Sequence, residues 1–425
     1  MKSVLEVLVE RGFTEQMTDE KALREALLRP TTGYIGFDPT APSLHVGSLI
    51  PIMSLAHMQK GGHRPIALVG GGTGLVGDPS GKIEMRKVLT RKEIERNVRS
   101  MGEQFSNFLD FSGGGALLLN NADWLTKLNY IEFLRDIGVH FSVNRMLSFE
   151  SIKMGLERGL SFIEFNYQLL QAYDFWHLFR HHDCMVQMGG SDQWGNIVAG
   201  IDLIRRLEGK PAYGVTFPLI ETADGKKMGK TEEGTIWLDA SMTSPYDYYQ
   251  YWVNTHDRDV ERFLSLFTFL PMDEIRCVRS LRNADLNLAK HVLAFEATRI
   301  NHGPEEALSA WKSSVALFGG GNIPPDLFPS SSIPRGESDE AMDVIPTTII
   351  RRERLERGIV VFEIFKETGL CRSGAEARRL IAQGGAYING KKIEGFDEPL
   401  KLEDFGNGEV MLRAGRKRYH RVKVL

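Results

Sequence analysis

Residues 34–47 read Tyr34-Ile35-Gly36-Phe37-Asp38-Pro39-Thr40-Ala41-Pro42-Ser43-Leu44-His45-Val46-Gly47. The run 33–37 is extended and apolar, and an Asp-Pro turn stops it. A helical pattern then starts near Leu44, with Leu49, Ile50, Met53 and Leu55 on its buried side. This spacing predicts His45 in the first turn of a helix, just beyond the end of a strand. Unpaired backbone N–H groups and the positive end of the helix dipole favour an anion there. A histidine so placed can donate to a phosphate oxygen, and Gly47 would let a flat ring lie close to the backbone. A solvent-facing cap histidine beside a packing glycine would leave the same letters, so the remaining segments have to decide.

Outward from this stretch, strand and helix patterns alternate. Residues 18–28 read as a charged amphipathic helix ended by Pro30. A second apolar run, 65–69, leads into Gly70-Gly71-Gly72-Thr73-Gly74. A helix is expected over 90–109, with Thr90 and Glu93 forming a capping box. A short strand follows at 116–120 and a helix at 130–137. Ser161 opens a long helix to about His181, with Glu164 completing its cap. Strand 185–188 ends in Gly189-Gly190, Ser191-Asp192-Gln193 caps a helix through Leu207, and 215–220 is the last strand. The fold class expected is α/β: a Rossmann-like parallel sheet wrapped by helices, with ligands outside the carboxyl ends of the strands.

Residues 244–318 are helical in pattern and rich in aromatics, and that stripe reads as packed core. A Gly/Pro/Ser-rich stretch at 319–346 reads as a linker. The last ~80 residues suffice for one small domain. The expected organisation is therefore a Rossmann-like domain over 1–235, a helical domain over 236–318, the linker, and a small α+β domain over 347–425.

The chain has 425 residues, 42% hydrophobic and 25% charged, as a soluble globular protein of two or three domains would. Its formal net charge of −3 hides a basic end, six Lys or Arg and no acid between 410 and 425. Such an end suits a polyanion. Cys184, Cys277 and Cys371 are far apart and in no CxxC pair, which argues against a disulfide framework or a zinc site and fits a reducing compartment. No apolar run approaches the roughly 20 residues of a membrane span. The acidic N-terminal residues Glu6, Glu10 and Glu15 resemble no targeting peptide. A cytoplasmic location and no membrane partner are expected.

Gly72-Thr73-Gly74-Leu75-Val76-Gly77 satisfies GxGxxG after a strand, so a dinucleotide-binding dehydrogenase has to be weighed. The acid that should end a second strand about 20 residues later falls instead inside the charged helix around Glu93 and Glu95. A P-loop fails too, with Val76 where its first glycine must be and Ile83 where a Ser or Thr would hold magnesium. The loop still offers Asp78 to an ammonium, and Lys82 and Arg86 to phosphate. A glycine-rich turn with surface cations is the plain alternative.

Tyr167, Gln171 and Asp174 share one helical face at i, i+4 and i+7. Their apolar neighbours bury the helix, so these polar groups need partners or form a site. With Tyr34, Gln187, Asp192 and Gln193 at strand ends, the expected pocket offers acceptors for an α-ammonium (Tyr167, Gln171, Asp78). It also pairs Tyr34 with Asp174 for a hydroxyl. After the last strand, 223–231 carry an Asp-Gly turn and then Lys226, Lys227 and Lys230. A cationic loop at this edge can close over a triphosphate and stabilise charge as pyrophosphate leaves. A solvated basic loop would read alike in isolation.

Two segments resolve this. His45-Val46-Gly47-Ser48 resembles the HIGH signature of class I aminoacyl-tRNA synthetases, and Lys227-Met228-Gly229-Lys230-Thr231 resembles KMSKS. More narrowly, residues 34–40, 77–82, Tyr167…Gln171…Asp174 and 189–196 resemble the bacterial tyrosyl-tRNA synthetases, over nearly the whole chain. Ser48 departs from the second histidine of the first motif and Gly229 from the central serine of the second.

The resemblance implies activation of L-tyrosine by ATP with Mg2+, transfer to tRNA(Tyr), a homodimer and no tightly bound cofactor. It places Tyr34, Asp78, Tyr167, Gln171, Asp174 and Gln187 on tyrosine. Gly36, Asp38, His45, Gly47, Asp192, Gln193, Lys227 and Lys230 would hold ATP. Thr40, His45, Lys82, Arg86, Lys230 and Thr231 would stabilise the departing phosphates. Residues 361–425 resemble a small RNA-binding domain named after a small-subunit ribosomal protein, with Arg378, Arg379, Arg416, Lys417 and Arg418 as the expected tRNA contacts. The rivals are a tryptophanyl-tRNA synthetase, for which Tyr34 and Asp174 have no hydroxyl to pair, the dehydrogenase, and a synthetase-derived RNA-binding protein without activity.

Overall fold

The structure, a computed structural model, describes residues 2–78, 89–223, 225, 228–231, 234–318, 322–335, 347–406, 408–415 and 418–424. The chain forms two compact units: Met1–Trp311 with Asn322–Gly336, and Lys312–Gly321 with Glu337–Leu425.

The first unit is built on a sheet of six strands: β1 (Gln16–Met17), β2 (Thr32–Phe37), β3 (Arg64–Val69), β4 (Leu117–Asn120), β5 (Cys184–Gly190) and β6 (Tyr213–Phe217). Their spatial order is β1-β6-β5-β2-β3-β4. Strands β2 to β6 are parallel, in the expected Rossmann-like manner. Strand β1 departs from an all-parallel sheet, pairing antiparallel with β6 through Gln16 and Thr216. The chain winds outward from β2 through β3 to β4, then returns to lay β5 on the other side of β2. A crevice opens at that reversal, beyond the carboxyl ends of β2 and β5.

The sequence places most of these elements correctly. In β3 every residue from Pro65 to Val69 is buried, as in a strand covered on both faces. Both expected capping boxes form, Thr90 with Glu93 and Ser161 with Glu164. Three details differ. The helix expected over 18–28 runs from Glu20 to Ala26, capped by Asp19. Residues Ser191–Gln193 form a 3-10 turn before the helix Trp194–Glu208, with no side-chain cap bond. Strand β6 ends at Phe217, three residues early, because Pro218 has no N–H for the ladder.

A small hairpin, β7 (Lys230–Thr231) with β8 (Gly234–Thr235), follows the sheet. Helices Pro245–Val253, Val260–Phe267 and Asn283–His302 then bury Tyr248, Tyr249 and Trp252 completely. Trp252 packs on Phe263 and Phe267 at 5.9 and 5.1 Å, so the aromatic stripe is core. Within 319–346, the described residues 322–335 belong to this unit. Glu296, 2% exposed, accepts from the Ser331 hydroxyl at 2.7 Å and the Ser332 N–H at 2.9 Å.

The second unit has strands β9 (Thr347–Ile350), β10 (Ile359–Val360), β11 (Ala386–Ile388), β12 (Lys391–Lys392), β13 (Pro399–Leu400), β14 (Glu409–Ala414) and β15 (Arg418–Val424). Five of them form a sheet in the order β12-β11-β14-β15-β9, and β10 pairs with β13. Helices Val361–Glu367 and Gly374–Ala382 close a core of Ile364, Phe365, Ala377, Ile381, Leu412 and Val422. The expected Asn-Gly turn joins β11 to β12, with Asn389 and Gly390 at φ 48° and 80°.

Candidate active site

A cavity of about 360 Å³ lies at the carboxyl edge of β2 and β5. At one end stand Tyr34 and Asp174, which the sequence paired. Asp174, 2% exposed, accepts from the Trp124 indole N–H at 2.7 Å and the Asn121 amide at 2.9 Å. The Asn121 amide also donates to the Thr73 hydroxyl at 3.0 Å, and its oxygen accepts from the Gly72 N–H at 2.8 Å. Burial pushes the Asp174 carboxyl up to about 7, against the two donors that favour its ionised form. The Tyr34 hydroxyl is buried with no hydrogen-bond partner among the described residues, and burial, then the Asp174 charge, keeps its proton on. One donor and one acceptor therefore converge, as a bound phenolic hydroxyl would need.

Two outcomes follow at this end. Tyr34→Phe removes a buried hydroxyl that the fold leaves unpaired, so the melting temperature should hold or rise. Discrimination between tyrosine and phenylalanine in amino-acid activation should narrow, by roughly tenfold for one neutral hydrogen bond. The raised Asp174 pKa means the folded state holds a proton that the unfolded state has released. Stability from this group should therefore fall as pH rises from the ordinary carboxyl value of 3.8 towards about 7. Thermal melts across that range should show a slope that Asp174→Asn removes.

The middle of the cavity is a polar ring. The Tyr167 hydroxyl donates to the Asp38 carboxylate at 3.4 Å, and the Thr73 hydroxyl does so at 3.1 Å. Gln193 donates to Asp78 at 2.8 Å, and Asn196 donates to the amide oxygens of Gln171 and Gln193 at 3.1 Å each. Acceptors thus cluster where the sequence expected an ammonium group, with Asp38 added to them. Gln187 and Asp192 stand outside the lining. Gln187 is the register partner of Tyr34 and is 1% exposed. The Asp192 carboxylate accepts from its neighbour Gln193 at 3.1 Å.

The lining also includes Gly36, Thr40, His45 and Gly47. His45 is extended (φ −129°, ψ 170°) and caps a 3-10 turn, Val46–Ser48, that precedes the helix Leu49–Lys60. The extra turn corrects the expectation of His45 within the helix. Its Nδ1 accepts from the Gly47 N–H at 3.0 Å, which puts the proton of the neutral ring on Nε2, a donor suited to an anion. Gly47 is required: a Cβ there would sit 2.7 Å from the His45 ring and 3.3 Å from the Met228 carbonyl.

The two decisive segments meet. The Val46 N–H donates to Ile236 at 3.0 Å and the Leu238 N–H to Leu44 at 2.9 Å, making an antiparallel bridge between His45 and Trp237. The Ile236 N–H in turn donates to Gly229 at 2.9 Å. Gly229 has φ 77°, and a Cβ on it would lie 3.2 Å from the Gly47 nitrogen. Glycine thus stands at this position for a steric reason. Lys230 and Thr231 form β7; their side chains, and Lys82, Arg86 and Lys227, lie outside the described residues.

In the second unit, Arg378 and Arg379 are exposed on one helix, and the Arg378 guanidinium stacks on Phe362 at 3.8 Å. Arg418 donates to the Leu370 carbonyl at 2.8 Å. Arg416 and Lys417 lie outside the described residues.

A parallel sheet whose carboxyl edge joins a histidine turn to a lysine hairpin has the build of a class I aminoacyl-tRNA synthetase. Residues 27–319 match the model for tRNA synthetases class I (W and Y), and residues 337–422 match that for the tyrosine–tRNA ligase SYY-like C-terminal domain. The chain is 59% identical over 425 residues to the tyrosine–tRNA ligase of Syntrophus aciditrophicus (strain SB), covering 100% of this chain and 99% of the relative. It is 52% identical to that of Acetivibrio thermocellus, covering 100% of both. Among solved structures, a C-terminally truncated mitochondrial tyrosyl-tRNA synthetase of Aspergillus nidulans superposes with a TM-score of 0.67 and 34% identity, covering 75% of this chain and 95% of that one. The chain belongs to the tyrosine–tRNA ligase family.

Asn121, Trp124, Thr73 and Asn196 were not singled out from the sequence. Asn121 directly follows the expected strand 116–120, and that strand-end position is the signal that could have found it. Asn196 ends the quoted stretch 189–196.

Proposed function

We propose that the chain joins L-tyrosine to tRNA(Tyr) in two steps. The tyrosine carboxylate attacks the α-phosphate of ATP, supplied as its magnesium complex, to give tyrosyl-adenylate and pyrophosphate. The terminal ribose hydroxyl of the tRNA then attacks the tyrosyl carbonyl of the adenylate, forming the ester and releasing AMP. The carboxylate is already a nucleophile, so the protein's part in the first step is positioning and charge stabilisation.

Tyr34 and Asp174 read the phenol, and Asp78, Tyr167 and Gln171 receive the ammonium. Thr40 and His45 hold the outer phosphates, with Lys82, Arg86, Lys230 and Thr231 as the further cations and hydroxyl of that end. Asp38, Gly36, Gly47, Asp192 and Gln193 serve the nucleotide. What carries this reading is the hydrogen-bonded junction of the His45 segment with the Gly229–Leu238 segment, beside a cavity that His45 lines together with Tyr34 and Asp174. Exchange of pyrophosphate into ATP, tested with each of the twenty amino acids, should respond to tyrosine alone. Stimulation by tryptophan instead, or by none, would overturn the assignment.

By the same reading, residues 1–235 form the catalytic part, 236–318 a helical part that helps hold tRNA, and 347–425 an RNA-binding domain using Arg378, Arg379 and its basic end. The working form is a homodimer in the cytoplasm. Exposed apolar side chains on five successive elements between Tyr130 and His182, among them Ile131, Val139, Val143 and Phe162 (57–71% exposed), support a protein-covered face. Sedimentation should give twice the chain mass, and Phe162→Glu should shift it towards the monomer. Among the described residues no helix is long and apolar enough to cross a membrane.

A further inference from the structure

The helix Arg91–Phe105 buries Ile94, Asn97, Met101, Gln104 and Phe105, the three- and four-residue spacing of a core-facing stripe. Ile94, Met101 and Phe105 are what such a stripe should carry, and the Phe105 ring packs on Phe37 at 4.8 Å. Asn97 and Gln104 are not. They are 3% and 6% exposed, and an amide so placed costs free energy unless it is hydrogen-bonded.

Both amides bond to one short stretch of chain. The Asn97 amide N–H donates to the Pro39 carbonyl at 2.9 Å. The Gln104 oxygen accepts from the Leu44 N–H at 2.9 Å, with the Ser43 hydroxyl 3.1 Å away. The Gln104 N–H donates to the Ser100 hydroxyl at 3.2 Å, which keeps the oxygen turned towards Leu44. The Asn97 oxygen is buried with no hydrogen-bond partner among the described residues, so this side chain adds little to stability beyond its one bond. Pro39, Ser43 and Leu44 are buried, whereas Thr40 and Pro42 between them are exposed. Thr40 directly follows the first held residue and His45 directly follows the second. Both line the cavity.

We infer that Asn97 and Gln104 are positioning residues for the phosphate side: one helix holds the loop at Pro39 and at Leu44, and so sets Thr40 and His45 against the pyrophosphate as it leaves. This rests on the tyrosine-activating reading. Neither amide has to touch substrate. A loop fixed at both ends presents its groups already oriented, and the transition state need not order them.

Full-length Asn97→Leu, Gln104→Met and Gln104→Glu test it. The first two keep the side-chain size and remove the bonds. Their kcat for tyrosine-dependent pyrophosphate exchange, per titrated active site, should fall about tenfold, the scale of one neutral hydrogen bond. KM for tyrosine should stay within about twofold, because Tyr34 and Asp174 are untouched and Asp38 keeps its bonds from Thr73 and Tyr167. Gln104→Glu retains an acceptor for the Leu44 N–H and should bring kcat back to within about threefold of wild type. A helix that mattered only to folding would lower the melting temperature and the number of active sites, with kcat per site unchanged. Wild-type kcat per site in either Asn97→Leu or Gln104→Met would therefore overturn the inference. So would a loss carried by KM for tyrosine, or a Gln104→Glu variant no better than Gln104→Met. Should Gln104→Met not fold, Asn97→Leu decides by the same criteria. A wild-type chain with no tyrosine-dependent exchange would sink the functional reading and this inference with it, whereas normal exchange in the wild type and the variants alike would sink the inference alone.

Discussion

Asp174→Ala should lower tyrosine activation by about a thousandfold or more while the chain stays folded. The substitution deletes a charged hydrogen-bond acceptor for the substrate phenol and strands two buried donors, the Trp124 indole and the Asn121 amide. A hydrogen bond to a charged group contributes about 1.5–3 kcal/mol, and each stranded donor costs about 1–3 kcal/mol. The loss should fall on kcat/KM for tyrosine and leave ATP recognition at the His45 end intact. Fold stability should change less, because the substitution also removes the burial cost that raises this carboxyl to about 7. Pyrophosphate exchange with a circular dichroism control checks it, and near-normal exchange would remove Asp174 from the tyrosine site.

Ending the chain after residue 335 should spare adenylate formation and reduce tRNA charging by about a hundredfold at physiological salt, through lost phosphate contacts. The first unit carries its own sheet, cavity and helical core. The A. nidulans neighbour is likewise C-terminally truncated, and 95% of it aligns here. The full chain should lose charging steeply as salt rises, and the truncated one should show a much flatter dependence. Equal charging by both would take the second unit out of tRNA binding.

The sequence displays what has a period or a local cap. Strands β2 and β3, the boxed helices, and the face carrying Tyr167, Gln171 and Asp174 follow from 2- and 3.6-residue spacing and short-range pairing. It conceals what is made across distance. Asn121 and Trp124 reach Asp174 from about fifty positions away, and Gln193 reaches Asp78 from more than a hundred, with no spacing rule to announce either. The extended backbone of His45 depends on its bridge to Trp237, which local propensity does not encode. Gly229 looked like a departure from a motif, and its φ of 77° against Gly47 supplies the reason only in three dimensions.

The shortest strand of the six-stranded sheet, β1, has a consequence for assembly. Gln16 and Met17 are made well before their partner in β6, which lies 200 positions later. Arg11 likewise waits for the carbonyls of Ser265, Thr268 and Leu270, more than 250 positions on. During synthesis β1 has no strand to pair with until β6 has emerged, and closing so long a loop is slow. The border of the sheet at β6 is therefore sealed last, and a nascent chain stalled before that moment would present an open edge to other chains.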